Sequence, residues 1–238
     1  MKYFIAYKQP DNSQNPCKNK LSVEEFESVP GTSRLEELEA IKGGELILSN
    51  ITENHRIYDF NCNAKIRRRE KLIFAEEKSK ILQQQKGRII ITMDATKYAS
   101  RCSVAILSYL TFGDLYAIKP VSLLKSDFLR FNDYIVDKRG GQATQVLLSD
   151  IENTELEFKM RSIYLKGSHL ERVPNFKAYL DNSKNIRTIG FAIPDFEGRR
   201  LSFRITHWGG GQIFSPVDLF DHEIAAFLEL LSQLIAPM

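Results

Sequence analysis

The segment LSDIENTELEFK, residues 148–159, places an acid before a turn and a Glu-x-Lys after it. Two carboxylates can hold a divalent ion between them, while a nearby ammonium helps activate water or steadies developing charge. The members here are Asp150, Glu157 and Lys159, and the chemistry they spell is that of a metal-dependent nuclease using Mg²⁺ or Mn²⁺. Reading ENT as a three-residue turn pairs Ile151 with Glu155 and Asp150 with Leu156, which turns Asp150 away from Glu157. A four-residue turn or a bulge reverses that, because a one-residue slip moves every side chain to the other face. Asp94 is a further acid, at the end of the apolar run RIIITM. Its plain role is to cap the element that begins at Ala95.

Other catalytic patterns are absent from the sequence. His55, His169, His207 and His222 form neither HExxH nor HxH, and no GxSxG, Walker A or GxGxxG motif occurs. Cys17, Cys62 and Cys102 are widely spaced, with no CxxC, so three reduced thiols are expected rather than a zinc site. No cofactor is expected outside the nuclease reading.

The strongest signal is charge. The chain carries a net charge of only +3, yet residues 64–101 hold 11 Lys and Arg against 4 Asp and Glu. Read as a helix, residues 64–85 put Ile66, Ile73, Phe74 and Ile81 on one side. Arg67, Lys71 and Lys78 then share the other side, with Arg68 beside them and Lys65 and Arg69 completing the run. A cationic stripe suits phosphates, since each phosphate neutralised releases condensed counterions. The plainer reading is a solvated face, and the acidic residues Glu36, Glu37 and Glu39 offer an intramolecular partner. The favoured expectation is a non-catalytic accessory protein that binds DNA or RNA, or joins a complex, through this cationic helix.

ITHWGGGQIFSP, residues 205–216, holds the chain's one tryptophan and three successive glycines. It reads as a bulge or hinge between a strand and the last helix. As a ligand loop it would offer His207 and Trp208 for stacking on a base.

Strands are expected over 2–8, 45–50, 56–60 and 88–93. Short helices are expected over 22–28 and 34–42, the second closed by Gly43 and Gly44. Residues 95–110 read either as a helix or, preferred for their β-branched and serine content, as part of a hairpin across TFGD. A helix follows over 122–136. Hairpins join 143–151 to 155–166 and 186–193 to 200–207, with a short helix near 175–180. A long amphipathic helix over 216–235 closes the chain, with Ser215 as cap, Pro216 first and Asp218 in the capping-box place. Its stripe of Phe220, Ile224, Phe227, Leu231 and Leu234 covers the sheet or meets a partner or a second copy, the latter making the protein a structural subunit.

Hairpins separated by helices, without repeating βαβ units, argue for an α+β fold: a mixed or antiparallel sheet covered by helices. A weak border near Gly87 divides residues 1–86, ending in the basic helix, from 87–238, with one continuous domain as the alternative. No run approaches the roughly 20 apolar residues that span a bilayer. The N-terminal MKYFIAYKQPDN lacks an apolar stretch of signal-peptide length. A cytoplasmic protein with no membrane partner is expected.

Overall fold

The computed structural model describes residues 2–10, 16, 18–68, 71–153, 158–214 and 219–235. The chain forms two compact units, Tyr3–Pro120 and a second built on the residues from Val121 onward. Gly87 lies inside the first unit, in the turn between two strands.

In the first unit, β1 (Lys2–Lys8) is followed by β2 (Lys20–Ser22), α1 (Val23–Glu27) and two 3-10 turns. Next come β3 (Ile41–Ile51), β4 (His55–Arg68), β5 (Lys71–Gln84), β6 (Ile89–Met93), α2 (Lys97–Phe112) and β7 (Lys119–Pro120). The strands lie in the order β2-β3-β4-β5-β6-β1, with β7 also on β1, and the recorded pairings are antiparallel. Ser22 caps α1 as expected, its hydroxyl accepting from Glu25 N while Glu25 reaches back to Ser22 N.

Three expectations are corrected here. The expected helix over 64–85 is not formed: residues 64–68 belong to the outer part of β4 and residues 71–84 are β5, and the two strands pair antiparallel. The register explains the helix-like pattern. Ile66 pairs with Ile73 and Tyr58 with Ile81 on one face, so three of the four apolar residues that a helix would gather share a face of the hairpin, while Phe74 goes to the other face with Lys65. Gly43 and Gly44 do not close a helix over 34–42; they lie within β3, at a register shift, with φ of 60° and 119°. A Cβ at Gly44 would come within 2.3 Å of Asn61 O on β4. Residues 97–112 are a helix and not part of a hairpin. Thr96 caps α2 by accepting from Ala99 N, and Gly113, at φ 68°, ends it. The serines that suggested a strand are buried and satisfied. Ser103 Oγ donates to Ser100 O, while Ser108 Oγ donates to Asp114 O and accepts from Ile118 N.

The core of this unit lies between α2 and the sheet, where Cys102, Ile106, Leu107 and Leu110 join Leu46, Tyr58, Phe60, Cys62 and Ile81. A buried amide chain fixes the inner end of the hairpin. Tyr58 donates to Gln83 Oε1 (3.1 Å), Gln83 Nε2 to Gln9 Oε1 (2.8 Å), and Gln9 Nε2 to the carbonyls of Gln84 and Gly87 (both 2.7 Å). These bonds tie β4, β5 and the segment after β1 together.

The second unit continues with α3 (Lys125–Asp133), β8 (Gln142–Asn153), β9 (Phe158–Lys166), α4 (Pro174–Asn182), β10 (Ser183–Phe196), β11 (Arg199–Thr206), β12 (Gly210–Ile213) and α5 (Asp221–Ile235). Its strands lie in the antiparallel order β12-β11-β10-β8-β9. One face packs Phe191 and Phe203 against Phe131 of α3 and Phe227 of α5, with edge-on ring contacts at 5.2–5.4 Å for Phe131–Phe191 and Phe203–Phe227. Of the expected terminal stripe, Ile224, Phe227, Leu231 and Leu234 are buried in this unit, while Phe220 is exposed. The helix begins at Asp221, later than the expected 216, and residues 215–218 with their expected cap lie outside the described residues. Phe220 N donates to Glu223, which also pairs with Arg199 of β11.

The fold is therefore α+β and dominated by antiparallel sheet. Among the described residues, no helix is long and apolar enough to cross a membrane.

Burial pushes the Cys62 thiol up to about 12, with Glu77 adding to the shift, and pushes Cys102 up as well. Only the thiolate reacts with disulfide reagents. In a Cys17→Ser background, neither thiol should react with such a reagent at pH 8 until denaturant unfolds the chain; prompt labelling of the native protein would contradict this packing. The hydroxyls of Tyr7 and Tyr58 are also held up to about 12 by burial. Their folded-state values exceed the ordinary 10, so the stability they contribute is complete below about pH 10 and lost as pH rises towards 12. Urea titrations should show Tyr58→Phe losing less stability than wild type between those two pH values. Phe203→Ala should cost about 3–5 kcal/mol in the same assay at neutral pH.

Candidate nucleic-acid interface

β4 and β5 are each 14 residues long, longer than the neighbours that flank them. The register of β3 with β4 ends at Ile41–Ala64, and that of β6 with β5 ends at Met93–Lys80. Beyond Ala64 and Ala75, the recorded pairing is between β4 and β5 alone, as a two-stranded ribbon. Its ladder hydrogen bonds run between the two strands, and both of its faces meet water: Lys71, Leu72 and Phe74 are exposed, and Lys65, Ile66 and Ile73 are half-exposed.

The sequence supplies this ribbon with cations. Lys65 is registered with Phe74, Arg67 with Leu72, and Arg68 with Lys71. Arg69 lies outside the described residues. The expected single stripe of Arg67, Lys71 and Lys78 is corrected with the helix that carried it. Lys71 and Lys78 are an odd number of residues apart on one strand and point to opposite faces. Lys78 sits where the ribbon enters the sheet and pairs with Glu76 at 3.1 Å. Lys42 Nζ, at the start of β3, lies 4.4 Å from the centre of the Phe74 ring, adding a cation beside the ribbon. Lys42 was not singled out by sequence pattern, and Phe74 only as part of the apolar side of the expected helix; the register of β3 on β4 brings them together.

Glu77 serves the fold. Its carboxylate accepts from Thr96 N at the start of α2, between β5 and the helix. Asp94 does not cap α2, a role taken by Thr96. It has a left-handed backbone (φ 58°), and its N–H donates to Tyr3 O.

The other expected sites are placed as follows. His207 and Trp208, in the second unit, form the turn between β11 and β12. Gly209 N donates to Thr206 O, and Thr206 Oγ1 donates to Gly210 O. The glycine-rich stretch is thus a tight turn leading into a strand, followed by Ile213 in the core. The Trp208 ring lies over Gly210, where a Cβ would fall within 1.9 Å of it, and Trp208 remains half exposed. His207 N donates to Arg187 O and His207 O accepts from Leu123 N, so this turn is fastened on both sides.

Asp150 is exposed, at φ 55° on β8, and accepts from Ser149 Oγ (3.1 Å) and Asn185 Nδ2 (3.4 Å). The three-residue ENT turn is corrected: Ile151 pairs with Met160, and Glu152 with Lys159. Lys159 is therefore registered with Glu152, while Glu157 lies outside the described residues. Asp94 and Asp150 belong to different units. Among the described residues, no group of three or more His, Cys, Asp and Glu is gathered as a metal site.

Compared with known protein families and with curated proteins, the chain matches none.

The outer ribbon and the sheet it springs from should respond differently to mutation. Leu72→Ala, at a position 63% exposed, should change stability by no more than about 0.5 kcal/mol in urea titrations. Ile81→Ala, at the buried end of the same strand, should cost about 2–5 kcal/mol. Equal costs would mean that the ribbon's tip is packed.

Proposed function

We propose that the protein is a non-catalytic nucleic-acid-binding protein that grips its ligand with the β4–β5 ribbon. The observation that carries this reading is the pairing of the two strands beyond both of their neighbours, with Lys65, Arg67, Arg68 and Lys71 gathered on that extension. A two-stranded ribbon is narrow enough to approach a groove or a single strand, and its outward-facing backbone groups are open to water or a ligand. The cations supply the sequence-independent attraction to phosphates, and Leu72 and Phe74 supply apolar surface beside them. The reading assigns the protein to the cytoplasm, where the buried Cys62 and Cys102 thiols stay reduced.

The test is binding of labelled DNA and RNA oligonucleotides across a salt series. Affinity should fall steeply with salt, each phosphate contact contributing about 0.7–0.9 to the log–log slope. Lys65→Glu, Arg67→Glu and Arg68→Glu together should abolish measurable binding or flatten that slope by about 2–3. Binding that is unchanged in the triple variant, or no binding by wild type at low salt, would refute the proposal.

A further inference from the structure

The second unit presents a surface that the ribbon does not use. Alternation along its strands sends Val146, Ile189, Phe191, Phe203, Ile205 and Ile213 to the face packed by α3 and α5. The opposite face reads across the sheet in register: Lys166 beside Gln145, Gln145 beside Gly190, Gly190 beside Arg204, and Arg204 beside Gln212. The next row runs from Tyr164 to Leu147, Thr188 and Thr206. Neither row contains an acid.

The side chains on this face are arranged to leave aromatic surface open. Tyr164, 55% exposed, donates its hydroxyl to Gln145 Oε1 at 2.8 Å, which holds the ring in place while leaving it accessible. Gln145 lies flat over Gly190, where a Cβ would come within 2.5 Å of Gln145 Cγ. Phe214, 38% exposed, follows β12, and the Arg204 guanidinium stands 5.8 Å from its ring centre. Lys166 is exposed beside Tyr164 on β9.

We propose that this face is a platform for a single strand of nucleic acid. Tyr164 and Phe214 each stack a base, Lys166 and Arg204 receive phosphates, and the amides of Gln145 and Gln212 meet base edges. β9 and β12 are four strand spacings apart, about 19 Å, a span of several nucleotides. Bases reach a sheet surface in this way only when they are unpaired, which is why the ligand is a single strand and not a duplex. These two rows, with Lys166 and Arg204 and no acid, complement a polyanion, Asp150 standing beyond them beside Ser149 and Asn185; the open rings are what an acidic peptide would leave unused. This inference rests on the reading of the chain as a nucleic-acid binder.

The experiment compares a labelled oligothymidylate and oligouridylate with a duplex of equal length, using the full chain. Tyr164→Ala should weaken single-strand binding about five- to a hundred-fold while leaving duplex binding unchanged. Tyr164→Phe, which keeps the ring, should restore it, and Lys166→Glu should weaken it with a shallower salt dependence. An unchanged melting temperature confirms that each variant is folded; if Tyr164→Ala is not, Lys166→Glu and Tyr164→Phe decide the matter. Single-strand affinity unaffected in Tyr164→Ala and Lys166→Glu, with the ribbon variants still defective, overturns this platform and leaves the ribbon reading intact. Wild type binding none of the probes overturns both.

Discussion

The strand pairing of β4 with β5 outlasts the pairing of either strand with its other neighbour, and the rest of the first unit is arranged around that difference. At the inner end, Tyr58, Phe60, Ile81 and Leu82 are buried, and the Tyr58–Gln83–Gln9 hydrogen bonds fix the strands to the segment after β1. At the outer end, the same two strands continue as a pair with water on both sides. Burial of the inner half stabilises the register, and the register in turn positions the cations of the outer half. A long strand pair needs such an anchor, because an isolated hairpin is at best marginally stable in water.

The consequence is a division of labour within one hairpin. Residues near the sheet obey packing: Ser79 is buried, Glu77 holds the start of α2, and Lys78 is paired with Glu76. Residues further out carry charge and exposed apolar surface, at odds with what stability alone favours, and local deviations of that kind are where function is to be sought. The second unit shows a comparable split between faces. Its aromatic core lies under α3 and α5, while the opposite face keeps Tyr164, Lys166 and Arg204 in or near water.

Much of the second unit was legible in the sequence. Turn residues such as Gly198, and alternating apolar positions along β10 and β11, mark that hairpin without help from tertiary context. The first unit was harder for a physical reason. The run Arg67–Arg68–Arg69–Glu70–Lys71 contains no Gly, Pro or Asn to announce a turn, and the hairpin folded around it pairs Ile66 with Ile73. A seven-residue separation on one face is also what a helix produces, so periodicity could not separate the two. At 97–112 the reverse happened: serine and β-branched content suggested strand, but Ser103 and Ser108 find partners inside and beside the helix, and Thr96 and Gly113 define its ends. The charged segment itself was visible from composition. Its shape, and the approach of Lys42 to Phe74, depended on contacts between strands distant in sequence.

The most direct test of the central claim is hydrogen exchange of the full chain with and without an oligonucleotide. Nucleic acid bound by the ribbon should slow exchange at the outer amides of β4 and β5, from Lys65 to Arg68 and from Lys71 to Phe74, which local opening otherwise exposes readily. The buried amides at Ile81 and Leu82 should exchange at the same rate in both samples. Protection that leaves the ribbon unchanged while binding is demonstrably saturated would contradict the account.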